Sequence, residues 1–445
     1  LAHGDRASHT AALEAVRTAA RETDTPVAIL ADLPGPKYRL GDVSPPGVTL
    51  ENGSPYTLES GSTTPATAQS APVWPFGLHD DVAPGATILV DDGAIVLTVR
   101  SVEGTRIHCT TEQGGPIEPR KAVATPGRAS TIDYLTPETA AALDLAVEAR
   151  VDFIGVSYTR SAEDLRRVRE RLHDTPAPPR LIAKIELRQA LQNLGSILAE
   201  SDGVMVARGD LGVELPIAEV PGAQKHIIRS ANNAGKPVIT ATQMLESMVD
   251  SPSPTRAEAT DVHNAVRDGT DAVMLSAETS IGKHPTRAAQ HMARIALAAE
   301  RELEHEAFME RRNRASVGAG QTVDDAIAYN ACRTAAALGA KVILAFTESG
   351  STAGRVASFR PATPVLAMVA HPETQRLLAL RWGVIPLLAR QCRSVQEMFV
   401  EGSRAAKQTG LASDGDLAVV VAGMPIGIPG TTNLLRVMRI PEPDS

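Results

Sequence analysis

Residues 181–186 read Leu-Ile-Ala-Lys-Ile-Glu, and residues 203–210 read Gly-Val-Met-Val-Ala-Arg-Gly-Asp. Each stretch is a short apolar run that ends in charged residues, a pattern typical of buried strands in a parallel sheet. Lys184 and Glu186 are two residues apart, so in an extended strand they point to the same side. Asp210 follows one strand–helix unit later, at the carboxyl end of the next strand. The sequence therefore predicts that these three side chains meet at one end of a β/α barrel.

The same alternation of predicted strands and helices continues on both sides of this segment. A helix is predicted over residues 11–25, and further strands are predicted at residues 27–32, 153–157, 237–240 and 272–275. Strands alternating with helices indicate a parallel sheet with right-handed crossovers.

Two other parts of the chain have different residue patterns. Between residues 41 and 127, short alternating segments are separated by Gly, Pro and Asp-Gly, and Asp92-Gly93 predicts a hairpin. After a charged helix predicted over residues 294–314, strands at 342–346, 365–368 and 417–421 indicate a last α/β segment. We therefore predict an α/β protein: a (β/α)₈ TIM-type barrel of residues 1–40 and 128–305, an inserted small β-barrel lid of residues 41–127, and a C-terminal α/β domain of residues 306–445.

Composition narrows the class of protein. The chain has 445 residues and a formal net charge of −8, which argues against a general nucleic-acid binder. It has no apolar run long enough to span a bilayer and no secretory signal pattern, so no membrane partner is expected. Its three cysteines are far apart, which argues against a zinc site or a disulfide framework. These features predict a cytoplasmic protein.

The predicted charged group has a definite chemistry. Two carboxylates at an open barrel mouth are natural ligands for Mg²⁺ or Mn²⁺, and a lysine beside them can neutralise charge on a phosphoryl group or an enolate. Gly209 lets backbone N–H groups approach a substrate carboxylate. An isolated Lys-x-Glu is more often a salt bridge on a strand, but the Ala-Arg-Gly-Asp one unit later favours a functional site.

The chain resembles the pyruvate kinase family from residue 1 to near its C-terminus. The stretches that carry the resemblance are Leu-Ala-His-Gly at 1–4, Asp-Leu-Pro-Gly-Pro-Lys-Tyr-Arg at 32–39, Leu-Ile-Ala-Lys-Ile-Glu at 181–186, Ala-Arg-Gly-Asp-Leu-Gly at 207–212, Ala-Thr-Gln-Met-Leu-Glu-Ser-Met at 241–248, Met-Leu-Ser-Ala-Glu-Thr at 274–279, and Ala-Gly-Met-Pro-Ile-Gly-Ile-Pro-Gly-Thr-Thr-Asn at 422–433. Each stretch alone is a modest match, and their order and spacing together are highly specific.

This resemblance implies roles for individual residues. In that family Lys184 would assist transfer of the phosphoryl group, Glu186 and Asp210 would be the protein ligands of the divalent metal, and Arg39 would contact the transferred phosphate. Thr242 would lie beside the methylene carbon that is protonated, with helix capping as its alternative role. The residues implied to bind substrate are Gly209, Asp210 and Thr242.

Nucleotide contacts are implied for His3 and for Lys121, a lid lysine. The alternative for Lys121 is an ordinary solvated lysine, because Ala124 replaces an asparagine that is usual in that lid motif. The implied substrates are phosphoenolpyruvate and ADP, and the resemblance implies a homotetramer.

Two departures from the family pattern carry information. The family motif before Leu1 normally supplies an arginine and an asparagine to the active site, with about two strands and a helix of the barrel upstream. Their absence from the chain predicts either a fragment or a partial barrel with impaired catalysis. In the second departure, Leu33 and Ala2 replace hydroxyl-bearing K⁺ ligands, and Lys37 replaces an acid. We therefore predict that Lys37, beside Asp32, supplies the positive charge and that K⁺ is not required.

The C-terminal domain contains a candidate effector loop. Residues 347–352 read Thr-Glu-Ser-Gly-Ser-Thr after a predicted strand. Thr347, Ser349, Ser351 and Thr352 could cradle a phosphate with their hydroxyls and backbone N–H groups, and the loop resembles the effector-phosphate loop of the family. The alternative is a plain helix N-cap.

Three functions are compatible with these residues. The first is an active pyruvate kinase. The second is a metal-dependent aldolase or lyase that handles pyruvate enolate without a nucleotide, although such enzymes usually lack the inserted lid and the C-terminal domain. The third is a non-catalytic regulatory relative, which the presence of Lys184, Glu186 and Asp210 argues against.

Overall fold

The computed structural model describes residues 1, 4–44, 47–128, 130–426 and 430–442. Its central sheet has six strands in the described part of the chain, all parallel to their neighbours. In spatial order these strands are Leu30–Asp32, Phe153–Val156, Arg180–Ile185, Gly203–Ala207, Val238–Ala241 and Ala272–Val273. Most residues of the inner strands are buried, which confirms the prediction of buried strands in a parallel sheet.

Helices cover this sheet, and some of them begin at capping residues that the sequence supplies. Ser161 and Thr255 each form a capping box at the start of a helix. The α-helices of this part are Arg6–Glu22, Pro137–Glu148, Ala162–Arg171, Arg188–Gln192, Leu194–Glu200, Arg208–Glu214, Val220–Asn233, Arg256–Asp268, Ala277–Ser280 and Pro285–Glu300, with 3₁₀ turns at Ile217–Glu219 and Glu246–Val249. Among the described residues, no helix is both long and apolar enough to cross a lipid bilayer.

The lid is a closed β-barrel inserted after the first strand of the sheet. Its seven strands are Tyr38–Leu40, Pro55–Ser60, Ser70–Trp74, Thr87–Val90, Ile95–Glu103, Arg106–Gln113 and Ala122–Ala124, with a separate pair Val48–Thr49 and Pro116–Ile117 and a short helix Leu78–Asp81. The predicted hairpin at Asp92-Gly93 is confirmed, because the strands before and after it pair antiparallel. In the described residues, closure leaves no unpaired edge in the seven-stranded barrel itself.

The C-terminal domain is a five-stranded sheet with helices on both faces. In spatial order its strands are Val384–Leu388, Val365–Val369, Val342–Phe346, Leu417–Gly423 and Thr432–Arg439, of which the last is antiparallel. Its helices are His305–Gly318, Val323–Leu338, Ser351–Ser358, Pro372–Leu378 and Val395–Gln408. The single charged helix predicted over 294–314 is instead two helices, which meet near Arg301. The reason is that the first helix packs Met292 into the barrel, whereas the second packs Met309 into the C-terminal core.

Ion pairs with buried aspartates join the barrel to the C-terminal domain. Arg360 donates to both carboxylate oxygens of Asp271 at 2.9 Å, and both side chains are only 4% exposed. Arg376 donates to Asp152 at 2.8 Å. Breaking either pair would leave a buried charge without its partner, which is strongly destabilising. These contacts place the two domains side by side.

Candidate active site

Lys184 is at the centre of a charged group at the carboxyl end of the sheet. Its Nζ atom is 2.9 Å from Oε1 of Glu186 and 3.0 Å from both carboxylate oxygens of Asp32, and it donates to the Ser157 hydroxyl at 2.9 Å. The close approach depends on Gly155, where a Cβ would lie 3.0 Å from Oδ1 of Asp32. Burial lowers the pKa of Lys184, but the Glu186 and Asp32 carboxylates outweigh burial, so the pKa lies above its usual value and the amine stays protonated.

Glu186 is the most buried carboxylate of this group, with no exposed surface. Its Oε2 accepts the backbone N–H of Tyr158, whereas Oε1 faces the Lys184 ammonium but accepts no well-directed hydrogen bond from the described residues. Burial raises the pKa of Glu186 to about 7, and the nearby Asp210 charge acts in the same direction while Lys184 opposes it. A buried oxygen without a directed donor is suited to accept a cation.

Asp210 lies in the first turn of the helix Arg208–Glu214 and is 34% exposed. Its Oδ1 accepts from Nζ of Lys37 at 2.9 Å and from the phenol of Tyr158. Burial alone would raise the pKa of Asp210, but Lys37 and the Tyr158 hydrogen bond outweigh it, so the pKa is below its usual value. Asp210 is therefore ionised at neutral pH.

The charge balance of the group leaves room for a further cation. Asp32, Glu186 and Asp210 carry three negative charges when ionised, against the two positive charges of Lys37 and Lys184. In the described residues no cluster of three or more His, Cys, Asp or Glu side chains could hold a metal unaided. Glu186 and Asp210 together could hold a divalent ion such as Mg²⁺, which usually keeps water and substrate oxygens among its ligands.

Thr242 and Gly209 form the wall beside this group. The Gly209 N–H donates to Oγ1 of Thr242 at 2.9 Å, and that hydroxyl donates to the Ala241 carbonyl at 2.7 Å. Thr242 and the next residue, Gln243, both have left-handed backbone conformations, with φ of 64° and 53°. Such conformations cost about 1–3 kcal/mol each and persist only where the surroundings hold them.

Arg208 holds this strained turn. It is 9% exposed, and its guanidinium donates to the carbonyl oxygens of Thr242 at 2.6 Å and Gln243 at 3.0 Å. A salt bridge to Asp261 orients the guanidinium. The turn that presents the Thr242 hydroxyl is therefore fixed by one buried arginine.

The structure does not bring every predicted residue into this group. Arg39, in a lid strand, donates to the Arg120 carbonyl at 3.1 Å, and Lys121 pairs with Asp91 and Glu118 at 3.1 and 3.0 Å. Both cations therefore bond within the lid in this conformation. His3 and Ala2 lie outside the described residues.

Lys37 is close to the group, but its partner differs from the expected one. It bonds to Asp210, while Asp32 is held by Lys184 and by the hydroxyl of Ser157. The loop that carries Lys37 passes over Tyr158, where a Cβ on Gly35 would lie 2.3 Å from the ring.

Sequence reasoning missed three residues that the structure places in or beside the group: Ser157, Tyr158 and Arg208. Ser157 is the last residue of a predicted strand and Tyr158 follows it, at the same sheet edge as Lys184, and that position was the available signal. Nothing in the sequence pattern indicated that Arg208 would turn toward the neighbouring loop.

The candidate effector loop lines a cavity in the C-terminal domain. Thr347 and Thr352 contribute to its wall together with Arg390. The hydroxyl of Thr347 is buried without a hydrogen-bond partner in the described part of the chain, whereas Thr352 bonds to Thr432 at 2.9 Å. The helix after the loop begins at Ser351 with Gly350 as N-cap and no side-chain cap. The hydroxyls of Ser349 and Ser351 are 3.3 Å apart.

Comparison with known proteins agrees with this geometry. The family model for the pyruvate kinase barrel domain matches residues 1–289, and the model for the pyruvate kinase alpha/beta domain matches residues 325–438. Among curated relatives, a pyruvate kinase of Clostridium acetobutylicum is 39% identical over 98% of this chain and 92% of the relative. A pyruvate kinase of Geobacillus stearothermophilus is 40% identical over 99% of this chain and 75% of the relative.

The fold is also shared with a solved structure. A crystal structure of a pyruvate kinase from Cryptosporidium parvum superposes with a TM-score of 0.94 at 33% identity, covering 99% of this chain and 90% of that one. Both domain models and the full-length relatives agree on one assignment. The chain therefore belongs to the pyruvate kinase family and is a phosphotransferase.

Proposed function

We propose that this chain transfers the phosphoryl group of phosphoenolpyruvate to ADP, giving pyruvate and ATP. The observation that carries the proposal is the Lys184 ammonium, which is held between the carboxylates of Glu186 and Asp32 at the open end of the sheet. Phosphoryl transfer needs little covalent chemistry from the protein, and catalysis comes from positioning and from charge placed in advance.

Lys184 supplies that charge from a rigid strand. Its raised pKa keeps it cationic over the working pH range, and it can face the equatorial oxygens of the transferring group, where negative charge spreads in the transition state. Because Asp32 and Ser157 accept hydrogen bonds from the ammonium and Glu186 forms an ion pair with it, little reorganisation is needed during the reaction.

Glu186 and Asp210 would hold the divalent ion, Mg²⁺ or Mn²⁺. When bound, such an ion supplies positive charge to the phosphoryl and enolate oxygens. The fit rests on the buried Oε1 of Glu186, which lacks a directed donor, and on the excess negative charge of the group. Lys37 keeps Asp210 ionised and so ready to act as a ligand.

Thr242 is the candidate for the proton transfer that completes the reaction. Its Oγ1 proton is directed to the Ala241 carbonyl, and the Gly209 N–H stabilises the same oxygen. A hydroxyl held in this way can pass a proton to the methylene carbon of the enolate and recover one from solvent. Arg39 and Lys121 would add phosphate and nucleotide contacts from the lid.

We also propose that the reaction does not require K⁺. The Lys37 ammonium lies 2.9 Å from Asp210 and 5.1 Å from the centre of the Tyr158 ring, so a tethered cation already occupies the group. The Leu33 side chain is fully buried and has no oxygen with which to bind an ion.

Regulation and assembly complete the proposal. The unpartnered Thr347 hydroxyl and the uncapped helix that starts at Ser351 support binding of a phosphorylated effector in the C-terminal cavity. A homotetramer and a cytoplasmic location remain predictions from the family resemblance and from composition.

The test of the proposed reaction is its dependence on ADP. Pyruvate release from phosphoenolpyruvate is measured with Mg²⁺ present, with ADP either supplied or omitted. We expect pyruvate and ATP in equal amounts and almost no pyruvate without ADP. Pyruvate formation that is independent of ADP would contradict the proposal and favour a lyase.

A further inference from the structure

A second cleft lies between the barrel and the C-terminal domain, away from the Lys184 group; it adjoins the candidate effector cavity, with which it shares Ser351. Its volume is about 530 Å³, and five basic side chains line it. They are Arg180, Lys236, Arg312, Arg355 and Arg381. Only two acidic side chains line the same cleft, Asp202 and Asp325. An excess of cations in a concave site attracts anions and strengthens their binding.

Arg312 has donors that no described residue satisfies. Its side chain is 6% exposed, and its Nε and Nη1 atoms are buried without a hydrogen-bond partner in the described part of the chain. Its nearest acid, Asp325, is 3.7 Å from Nη2 and also accepts from Arg355 at 3.0 Å. Unsatisfied buried donors are costly, so an acceptor that enters the cleft would stabilise this arginine.

The two domains contribute cations from opposite sides. Lys236, from the barrel, donates to the Ser201 carbonyl at 2.8 Å, and Arg381, from the C-terminal domain, donates to the Gly235 carbonyl at 2.9 Å. Burial lowers the pKa of Lys236; the Asp202 charge opposes this shift without outweighing it, and the Arg381 charge adds to it. Burial therefore outweighs the nearby aspartates around both Lys236 and Arg381, and an anion entering the cleft would stabilise their charged forms.

A helix N-terminus opens into the same cleft. Ser349 and Gly350 line this cleft, whereas Ser351, the first residue of the helix Ser351–Ser358, lines both this cleft and the candidate effector cavity. That helix has no side-chain cap. Backbone N–H groups at an uncapped helix start favour a phosphate.

We propose that this cleft between the domains binds a small phosphate-bearing anion, held by Lys236 from the barrel and by Arg312 and Arg381 on the opposite wall. Its volume is within the usual range of small-molecule sites, so it has room for a metabolite larger than phosphate itself. A ligand that touches both domains would stabilise their contact.

The test is calorimetric titration of inorganic phosphate into the full chain and into single variants. Lys236→Met and Arg381→Met should each weaken phosphate binding by about tenfold or more, because each removes a charge-assisted contact. Arg381→Lys keeps the charge and should retain most of the affinity. Arg311→Met is the matched control: it removes the same charge one residue from Arg312, on the exposed face, and should bind like the parent.

Each contrary outcome is decisive. If the parent binds no phosphate, or if Lys236→Met and Arg381→Met bind as tightly as the parent, the cleft is not an anion site. Arg390→Met reports on the candidate effector cavity. If that variant alone loses binding, the phosphate occupies that cavity and the proposal is overturned. The Lys236 side chain makes a single hydrogen bond to the described residues and is partly exposed, so its variant remains informative if Arg381→Met does not fold.

Discussion

Binding of a divalent ion should displace a proton from Glu186. Burial raises the pKa of this carboxyl to about 7 from a usual 4.5, a penalty of about 3 kcal/mol on the charged form. At pH 6 about nine-tenths of the protein should carry this proton, and at pH 8 about one-tenth. The metal needs the carboxylate, so proton release should be large at pH 6 and small at pH 8.

The same shift has a consequence for stability. Because the pKa of Glu186 is higher in the folded protein than in the unfolded chain, the bound proton stabilises the fold. That contribution is fully present below about pH 4.5 and is lost as the pH rises through about 7. Without metal, the free energy of unfolding should therefore lose up to about 3 kcal/mol from this group between those limits.

Proton release is measured by titrating Mn²⁺ into the protein in two buffers of different ionisation enthalpy, at pH 6 and at pH 8. The difference in heat gives the number of protons, which we expect to be about one at pH 6 and about one-tenth at pH 8. Glu186→Gln should bind the ion weakly and release no proton. Glu397→Gln, at a helix start in the C-terminal domain, is the control. Absence of proton release at pH 6, or the same release from Glu186→Gln, would refute the reasoning.

Three further predictions concern Lys37, Arg208 and Thr347. Turnover in a buffer free of sodium and potassium should gain little from KCl at constant ionic strength, and Lys37→Glu should lose activity without K⁺; strong activation of the parent by K⁺ would contradict this. Arg208→Lys should lower kcat by up to about 100-fold with little change in KM, because the turn that presents Thr242 shifts. A fall in kcat accompanied by an equally large rise in KM would show a general structural role. A sugar phosphate should change the substrate response of the parent but not of Thr347→Val, and an unchanged parent would remove the effector role.

Much of the candidate site could be predicted from the positions of the strands in the sequence. Lys184, Glu186 and Asp210 could be grouped from the sequence because parallel strands end at the same edge of a sheet. The partner of Lys37 could not be predicted from the sequence, because a lysine on a Gly-Pro loop can reach either Asp32 or Asp210. The path of the loop over Tyr158 determines that Lys37 bonds to Asp210.

The backbone conformation of two residues and one edge strand of the C-terminal sheet were not predicted from the sequence. The left-handed Thr242 and Tyr158 are bulky residues in a region that the sequence rule reserves for glycine, so their turns had no local signature. The strand Val384–Leu388 contains a proline, which argues against a central strand, and it lies at an edge of the C-terminal sheet.

The central claim is that Lys184 stabilises the phosphoryl group during its transfer. The direct measurement is the rate of the transfer step in a single turnover of Lys184→Met, together with the dissociation constant of phosphoenolpyruvate. Lys225→Met, an exposed lysine on a barrel helix, is the control. We predict a rate lower by about 100-fold or more, with phosphoenolpyruvate bound nearly as tightly as in the parent, because the charge acts mainly in the transition state. A normal transfer rate, or a loss confined to phosphoenolpyruvate binding, would contradict the account.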